Sequence, residues 1–203
     1  VLFGAAGTLF FVLVALLAPL VSPHDPNEID MLNKFAALSA EHLLGTDFYG
    51  RDLLSRLIYG TRVSILTGVL STLFAAVIGV FIGMLAAFYG GAVDKLIVAG
   101  CDTFSAIPGT ALAMALLAVI GGGMFNMAII ICITTIPGFI RMMRASAMTI
   151  MGTDYILAAK LSGENKLKIM FKHVLPNSIS PIIVMATQTV GGSIMMESGL
   201  SFL

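Results

Sequence analysis

Four long blocks of the chain contain no Asp, Glu, Lys, Arg or His. A helix that spans a membrane needs roughly 20 mostly apolar residues, so each block is long enough to cross at least once. The blocks are Leu2–Val21, Val63–Val93, Thr103–Ile140 and Val174–Met196. The third is too long for one crossing and is interrupted by three glycines at 121–123, so we predict two helices there, near Leu96–Ile120 and Met124–Met143. The pattern therefore predicts an all-α membrane protein with five crossings.

Composition agrees with this pattern. Hydrophobic residues make up 58% of the 203 residues and charged residues 11%, whereas soluble domains average about 45–50% and about 25%. The formal net charge is zero, which leaves no positive excess to attract nucleic acid. Cys101 and Cys132 lie in separate apolar runs, so neither a disulfide framework nor a paired-cysteine metal site is predicted.

The first block is predicted to be a true helix and not a cleaved signal. It exceeds the apolar core of a signal peptide, which is about 7–15 residues, and no small-x-small cleavage site precedes Pro19. The chain does not begin with Met, and we expect residues before Val1 to be missing.

The basic residues are divided unequally between the polar segments. Ser22–Arg62 holds four basic and six acidic residues, whereas Arg141–Asn177 together with the turn at Asp94 and Lys95 holds seven basic and three acidic residues. Because basic loops stay in the cytoplasm, we expect 141–177 and the N-terminus inside and 22–62 outside.

One helix carries small residues at every fourth position. A stripe of this kind lets two helices approach closely within lipid, so it predicts a packing seam. Its members are Thr67, Ser71, Ala75, Gly79, Gly83 and Ala87.

The second basic segment predicts two short helices joined at a glycine. Asp154 is placed to cap the first, and Gly163 to end it in a left-handed turn. The second is predicted to begin near Asn165 and to end at Pro176. It carries one apolar stripe, formed by Leu167, Met170, Phe171 and Val174. Two interpretations remain open and equal: a basic hairpin lying on anionic lipid, or a knob that docks into a soluble partner.

A family resemblance rests on the spacing within this segment. Leu157-Ala158-Ala159, Gly163 and Leu175-Pro176 resemble the Glu-Ala-Ala loop of ATP-binding-cassette (ABC) importer permeases, with Leu157 at the place of the usual Glu. The segment from His42 to Asp52, with its Gly-Thr-Asp and Gly-Arg-Asp triplets, resembles the second (C-type) permease of dipeptide, oligopeptide and nickel importers. Shorter matches extend the resemblance to nearly the whole chain: Tyr89-Gly90-Gly91 with Asp94, Asp102 with Pro108, and the final Gly-Leu-Ser-Phe-Leu.

The resemblance implies a polytopic helical bundle of the type I ABC importer permease fold. That fold has six crossings, so we expect a sixth beyond the five visible here, after the C-terminal Leu203. The implied divisions are a first helix (1–21), an extracytoplasmic loop (22–62) and a transmembrane core (63–203) with a cytoplasmic coupling loop (147–177). The implied location is the cytoplasmic membrane of a bacterium or archaeon.

The family also implies partners and a coupling surface. A permease of this kind works with a second homologous permease, two cytoplasmic ATPase subunits and an extracytoplasmic solute-binding protein, within membrane lipid. No Gly-Lys dipeptide occurs, so the chain lacks a phosphate-binding loop of the Gly-x-x-x-x-Gly-Lys type. The chain is therefore predicted to be no enzyme and to bind no cofactor. ATP and Mg²⁺ are expected on the partner ATPases. The predicted ATPase-coupling residues are Asp154, Tyr155, Ala158, Ala159, Lys160, Gly163, Glu164, Leu175 and Pro176.

The 42–56 segment has two interpretations. One is a tight turn locked by Asp–Arg pairs among Asp47, Arg51, Asp52 and Arg56. The other is a surface that receives the binding protein or gates the outer mouth. The motif residues are Gly45, Thr46, Asp47, Gly50, Arg51 and Asp52.

Metal and path residues are less well specified. His24-Asp25 and His42 with Asp47 offer nitrogen and oxygen ligands, but nothing in the sequence brings them together, so no metal site is predicted. Asp102 and Gln188 are the candidate residues of a translocation path, with Asp102 alternatively a hydrated residue at the membrane interface.

Two other function classes, an intramembrane protease and a channel, do not have their expected residues in this sequence. An intramembrane serine protease would need a histidine on a span, and a metalloprotease a His-Glu-x-x-His motif, which is absent. A channel would need a ring-forming acidic or carbonyl filter segment. The sequence favours a permease whose cargo is a peptide, nickel or a metal chelate.

Overall fold

The computed structural model describes residues 2–202, and within that range every regular element is helical apart from one isolated β-bridge between Thr46 and Asp52. Val1 and Leu203 lie outside the described residues, as do the outer ends of the predicted 1–21 and 63–203 segments and the last residue of the Gly-Leu-Ser-Phe-Leu match. The all-α prediction is confirmed. The α-helices are α1 (Leu2–Val21), α2 (Leu53–Tyr89), α3 (Gly91–Ser105), α4 (Gly109–Ile120), α5 (Met124–Met151), α6 (Asp154–Leu161), α7 (Lys166–Lys168) and α8 (Leu175–Ser201).

Among residues 2–202, four stretches of helix are long and apolar enough to cross a membrane: α1, α2, α5 and the continuous stretch Lys166–Ser201. The pair α3 and α4 passes the same test only when taken together, and it is bent by 82°. The predicted five crossings are therefore reached if the bent pair is one span. The chain divides into two compact units, one up to Leu66 and one from Thr67 onwards, so helix α2 begins in the first and ends in the second.

The predicted single helix over Leu96–Ile120 is wrong in its shape. The chain leaves α3 at Ser105 and starts α4 only at Gly109, with Pro108 immediately before it. Proline has no N–H to donate and disfavours helical backbone in the residue before it, which explains why the helix breaks here.

Helix α2 begins at Leu53, ten residues before the predicted Val63. Asp52 caps this start, because its carboxylate accepts hydrogen bonds from the Ser55 N–H (2.8 Å) and the Ser55 hydroxyl (2.7 Å). The charged Arg56 and Arg62 made this first stretch look like a loop. At 37 residues the helix is longer than one crossing requires.

Helix α5 continues through Arg141 and Arg144 to Met151, so the first part of the predicted 147–177 loop is helical. Arg144 pairs with Asp94 of α3 through its Nε and Nη2 atoms. Arg141 Nη2 lies 3.4 Å from Asp102 and donates to the Cys101 carbonyl at 2.9 Å. These two arginines therefore tie α5 to α3. The sequence prediction, which placed both of them in a loop, did not include this role.

The stripe of small residues forms the predicted seam. Gly79 and Gly83 of α2 lie against Phe139, Ile140 and Met143 of α5 so closely that a Cβ atom at either glycine would collide with them. Helix α8 joins the seam further along α2, where the Thr72 and Ser193 hydroxyls lie 3.4 Å apart. Small side chains thus set the distance between these helices.

The core of the second unit grows out from this seam. Its fully buried members come from α2, α5, α6 and the turn before α8, and they include Met84, Phe139, Met143, Ile156 and Val174. The short helix α6 is therefore anchored in the core by Ile156, although most of its surface is exposed.

Substituting one seam glycine tests the seam. Gly83→Ala places a Cβ about 2.5 Å from the Ile140 carbonyl oxygen, and this backbone atom cannot yield without moving α5. We expect the purified protein to lose about 1–3 kcal/mol of unfolding free energy, measured by denaturation in detergent.

Gly60→Ala in the same helix is the matched control. Its Cβ meets nothing within 4 Å, so it should be neutral or stabilising by up to about 1 kcal/mol. Equal effects of the two substitutions would contradict a seam fixed by close approach.

Candidate functional site

Helix α6 is held from one side and exposed on the other. Ile156 is fully buried, whereas Tyr155, Ala158 and Lys160 are exposed. Ala159 is half-buried and packs against the core cluster. The sequence prediction that Asp154 caps this helix is wrong by one position, because Thr153 is the N-cap and Asp154 lies in the first turn. The Asp154 carboxylate still interacts favourably there with the positive end of the helix dipole.

The end of α6 is a glycine turn of the Schellman type. The Glu164 N–H donates to the Ala159 carbonyl at 3.2 Å, and the Gly163 N–H donates to the Lys160 carbonyl at 3.1 Å. Gly163 has φ +74°, as predicted, and open space around its Cα. The turn therefore depends on left-handed backbone and not on a tight fit.

Glu164 ties this turn to the next helical stretch. One of its carboxylate oxygens lies 2.8 Å from Lys168 Nζ and the other 2.8 Å from His173 Nε2. The hydrogen bond from Lys168 and, to a smaller extent, the one from His173 hold the pKa of the Glu164 carboxyl below its usual value. His173, interpreted from sequence as a helix-end residue, is thus a partner of Glu164.

The second predicted helix begins where expected but does not end at Pro176. The Asn165 side chain accepts from the Leu167 N–H at 3.1 Å and caps α7. The backbone then passes through a π-helical turn, Ile169–Val174, directly into α8. Wide π-helical turns let a helix accommodate an irregularity such as Pro176, which cannot donate a backbone hydrogen bond.

The π-turn also changes which side chains are buried. Ile169, Met170 and Val174 are buried, whereas Leu167 and Phe171 are 56% and 50% exposed. The predicted stripe is therefore half wrong, because it assumed the 3.6-residue period of an α-helix. Leu175 is half-buried against the core and Pro176 is exposed, so neither belongs to the exposed face of α6.

The 42–56 segment forms a compact turn. Gly45 and Gly50 have φ near +76° and +75°, and a Cβ at Gly50 would overlap the Asp30 carbonyl. The Thr46 hydroxyl accepts from the Ala36 N–H at 2.8 Å and donates to the Asn33 carbonyl. The structure of the turn therefore requires glycine at both Gly45 and Gly50.

Asp47 is the acceptor that organises this turn. It accepts from the N–H groups of Tyr49 (2.8 Å) and Arg51 (3.0 Å) and from Arg51 Nε (2.8 Å), and Arg56 Nε lies 3.8 Å away. Burial pushes the pKa of the Asp47 carboxyl upward, but the hydrogen bonds from Arg51 and Tyr49 together outweigh it, so that this pKa lies below its ordinary value of 3.8.

Asp52 does not join the predicted Asp–Arg network. It is buried, caps α2 through Ser55, and lies 3.1 Å from His42 Nδ1. Burial raises the pKa of its carboxyl, yet the hydrogen bonds from Ser55 and then from His42 bring this pKa below the ordinary value. His24 comes close to the same carboxylate, with Nδ1 3.9 Å from Asp52 Oδ2. The fold thus gathers two histidines that are far apart in the sequence, and no sequence motif indicated this.

The candidate path residues lie on two helices of the second unit. Asp102 is exposed on α3 beside Arg141, in keeping with a hydrated and paired carboxylate. Gln188 lies on an exposed face of α8 together with Thr187. Their part in a path stays a prediction.

Two family models match the chain. The one described as the inner membrane component of binding-protein-dependent transport systems covers residues 79–203, and the one described as the N-terminal transmembrane domain of oligopeptide transport permease C covers residues 1–39. The first accounts for more than half of the chain. The chain therefore belongs to the family of inner-membrane components of binding-protein-dependent transport systems, and it is a multi-pass membrane protein.

Individual relatives agree. A di/tripeptide transport system permease of Pseudomonas aeruginosa is 40% identical over 98% of this chain and 69% of its own length. A glutathione transport system permease of Pectobacterium atrosepticum is 38% identical over 98% of this chain and 67% of its own length. A dipeptide transport system permease of Haemophilus influenzae is 34% identical over all of this chain and 70% of its own length. The predicted resemblance is confirmed, which selects a permease component over the enzyme and channel alternatives.

Removing the charge of Asp47 tests its role in the turn. Asp47→Asn should lower the unfolding free energy at pH 7 by about 1–2 kcal/mol, because the amide replaces charge-assisted hydrogen bonds from Arg51 by weaker ones. Since the folded pKa lies below 3.8, the wild-type advantage is present above that value and is lost as the pH falls through the folded pKa. Denaturation of both proteins between pH 7 and about pH 3 measures it.

Glu28→Gln, an exposed acid of the same segment, is the control and should show little difference at any pH. A gap between wild type and Asp47→Asn that stays constant down to low pH would refute the assignment.

Proposed function

We propose that this chain is the membrane permease subunit of an ATP-driven importer that moves short peptides into the cell. The peptide class is supported by the relatives, which are described as transporting di- and tripeptides, dipeptides or glutathione. A family whose transport depends on a binding protein supports an extracytoplasmic solute-binding protein as the source of the cargo. The proposal includes a second homologous permease and two ATPase subunits, with ATP and Mg²⁺ bound by the latter.

The observation that carries the coupling role is the exposed face of α6. The small side chain of Ala158 is exposed on this face, while buried Ile156 and half-buried Ala159 fix the helix to the core. A short helix fixed in this way can enter a cleft of an ATPase and transmit its movement to α5 and α8. Asp154, Tyr155, Lys160 and the Gly163–Glu164 turn surround the contact.

The orientation follows from charge. The α6–α7 segment carries Lys160, Lys166, Lys168 and Lys172 against Asp154 and Glu164, and we place it in the cytoplasm. The segment between α1 and α2 then lies outside, where its compact 42–56 turn is available to the binding protein. Asp102 and Gln188 remain the proposed residues of the path.

Changing the backbone of the Gly163 turn tests coupling. A β-branched side chain is strained at φ +74°, so Gly163→Val should shift the end of α6. In the reconstituted complex we expect the ATPase stimulation by peptide-loaded binding protein to fall at least about tenfold, with assembly retained.

The matched control is Gly152→Ala, because Gly152 has a φ of −83° and leaves ordinary contact distance for a Cβ. It should leave stimulation unchanged. Undiminished coupling in Gly163→Val would rule out α6 as the coupling helix.

Uptake tests the cargo. A strain lacking this chain should lose uptake of a labelled dipeptide and regain it with the wild-type chain, while nickel uptake stays unchanged. Loss of nickel uptake with normal dipeptide uptake would overturn the peptide assignment.

A further inference from the structure

We propose that His24, His42 and Asp52 form a binding site for one zinc ion, or a closely similar divalent transition-metal ion. One potential ligand atom from each residue lies within 4.8 Å of the others. Two imidazoles and one carboxylate are a donor set suited to zinc. All three residues belong to the first compact unit, so the site is contained within it.

The distances are close to those that a metal requires. Zinc bonds of about 2.0–2.1 Å place neighbouring ligand atoms about 3.3 Å apart in a tetrahedral site. His42 Nδ1 lies 3.1 Å from Asp52 Oδ1, and His24 Nδ1 lies 3.9 Å from Asp52 Oδ2. The two imidazole rings have centroids 4.9 Å apart. His24 Nδ1 therefore has to approach Asp52 Oδ2 by about 0.6 Å, and because the three ligand atoms lie within 4.8 Å of one another, a contraction of about 1.5 Å or less closes the site.

The surroundings hold the ligands in place before any ion binds. Asp52 is 3% exposed and its second oxygen is fixed by the N–H and hydroxyl of Ser55. The same Ser55 hydroxyl accepts a hydrogen bond from the backbone N–H of His24 at 3.1 Å, and this bond ties the chain after α1 to the start of α2. Supporting hydrogen bonds of this kind orient metal ligands and raise affinity.

One atom of the cluster lacks a protein partner. His24 Nδ1 is buried, and at 3.9 Å it is too far from Asp52 for a hydrogen bond. A buried polar atom without a partner costs about 1–3 kcal/mol, and an ion between the three residues removes that cost. Capping of α2 explains Asp52 and Ser55 but gives no reason for two histidines to face the same carboxylate.

An open position is available for solvent. His24 also lines an open pocket of about 480 Å³ with Asp25, Tyr59 and neighbouring residues. The pocket brings solvent to one side of His24, and a water molecule from that side is the fourth ligand that the proposal requires. When zinc binds His42 through Nδ1, the neutral imidazole carries its one proton on Nε2, and the metal takes the place of the hydrogen bond between His42 and Asp52.

Such an ion fastens three parts of the first unit together: the chain that follows α1, the 42–47 turn and the start of α2. Because it joins residues separated by long stretches of sequence, it stabilises the folded loop against opening. The site is therefore a structural tether, independent of which cargo the transporter carries.

The test uses the full chain, purified in detergent and freed of metal with a chelator. Equilibrium dialysis against Zn²⁺, followed by elemental analysis, should give one strongly bound ion per chain. Millimolar Mg²⁺ should not displace this ion, since Mg²⁺ prefers oxygen ligands. Zn²⁺ should also raise the thermal unfolding midpoint.

His24→Gln is the decisive variant, because the His24 side chain is one-third exposed and its buried Nδ1 has no hydrogen-bond partner, so its loss should not lower the metal-free unfolding midpoint. It should lower Zn²⁺ affinity at least about 100-fold and abolish the Zn²⁺-dependent rise in the midpoint. His24→Cys, which keeps a zinc ligand, should restore binding.

His173→Gln removes the histidine outside the cluster and is the control, with wild-type Zn²⁺ binding expected. The proposal is overturned if the wild-type chain takes up no ion, or if His24→Gln binds Zn²⁺ as tightly as wild type. A metal-free midpoint that falls in His24→Gln, with no Zn²⁺ effect on wild type, would assign the cluster to folding alone and equally overturn it.

Discussion

The close approach of α2 and α5 is the constraint on which the second unit depends. Gly79 and Gly83 bring the α2 backbone against Phe139 and Met143, with no room for a side chain between them. Within lipid, burial of apolar surface offers little drive between helices, so contact at short distance must supply the attraction. The two arginines of α5 then add paired charges to α3, which makes α5 the helix that the others share.

The exposed helix α6 derives its position from that core. Ile156 joins the same buried cluster as Phe139 and Val174, and the Gly163 turn and Glu164 connect α6 to the helix that leads into α8. A force applied to the exposed side of α6 at Ala158 therefore reaches α5 and α8 through the packing of Ile156 and the ion pairs of Glu164. This arrangement supports the coupling role that we propose for α6.

Much of this architecture was predictable from the sequence, since charge-free blocks and small-residue spacing report directly on burial in lipid. The bounds of α1, the seam and the glycine turn at Gly163 were correct. The misplaced start of α2 and end of α5 share a physical origin. Arg56, Arg141 and Arg144 interrupt an apolar pattern but not a helix, because each of them lies beside a carboxylate. The π-helical turn before Pro176 has a different number of residues per turn from an α-helix, so the apolar stripe predicted with the α-helical period was half wrong.

By itself the sequence determined the class of the protein, the presence of its apolar helices and the family to which it belongs, because these depend on local composition and on residues close together in the chain. Only the tertiary structure decided how distant polar groups pair. Arg144 finds Asp94 across 50 positions, and His24 meets His42 and Asp52 only because the chain after α1 folds back onto the start of α2. Such pairings depend on backbone paths that no local spacing encodes, so contacts of this kind emerge only in three dimensions.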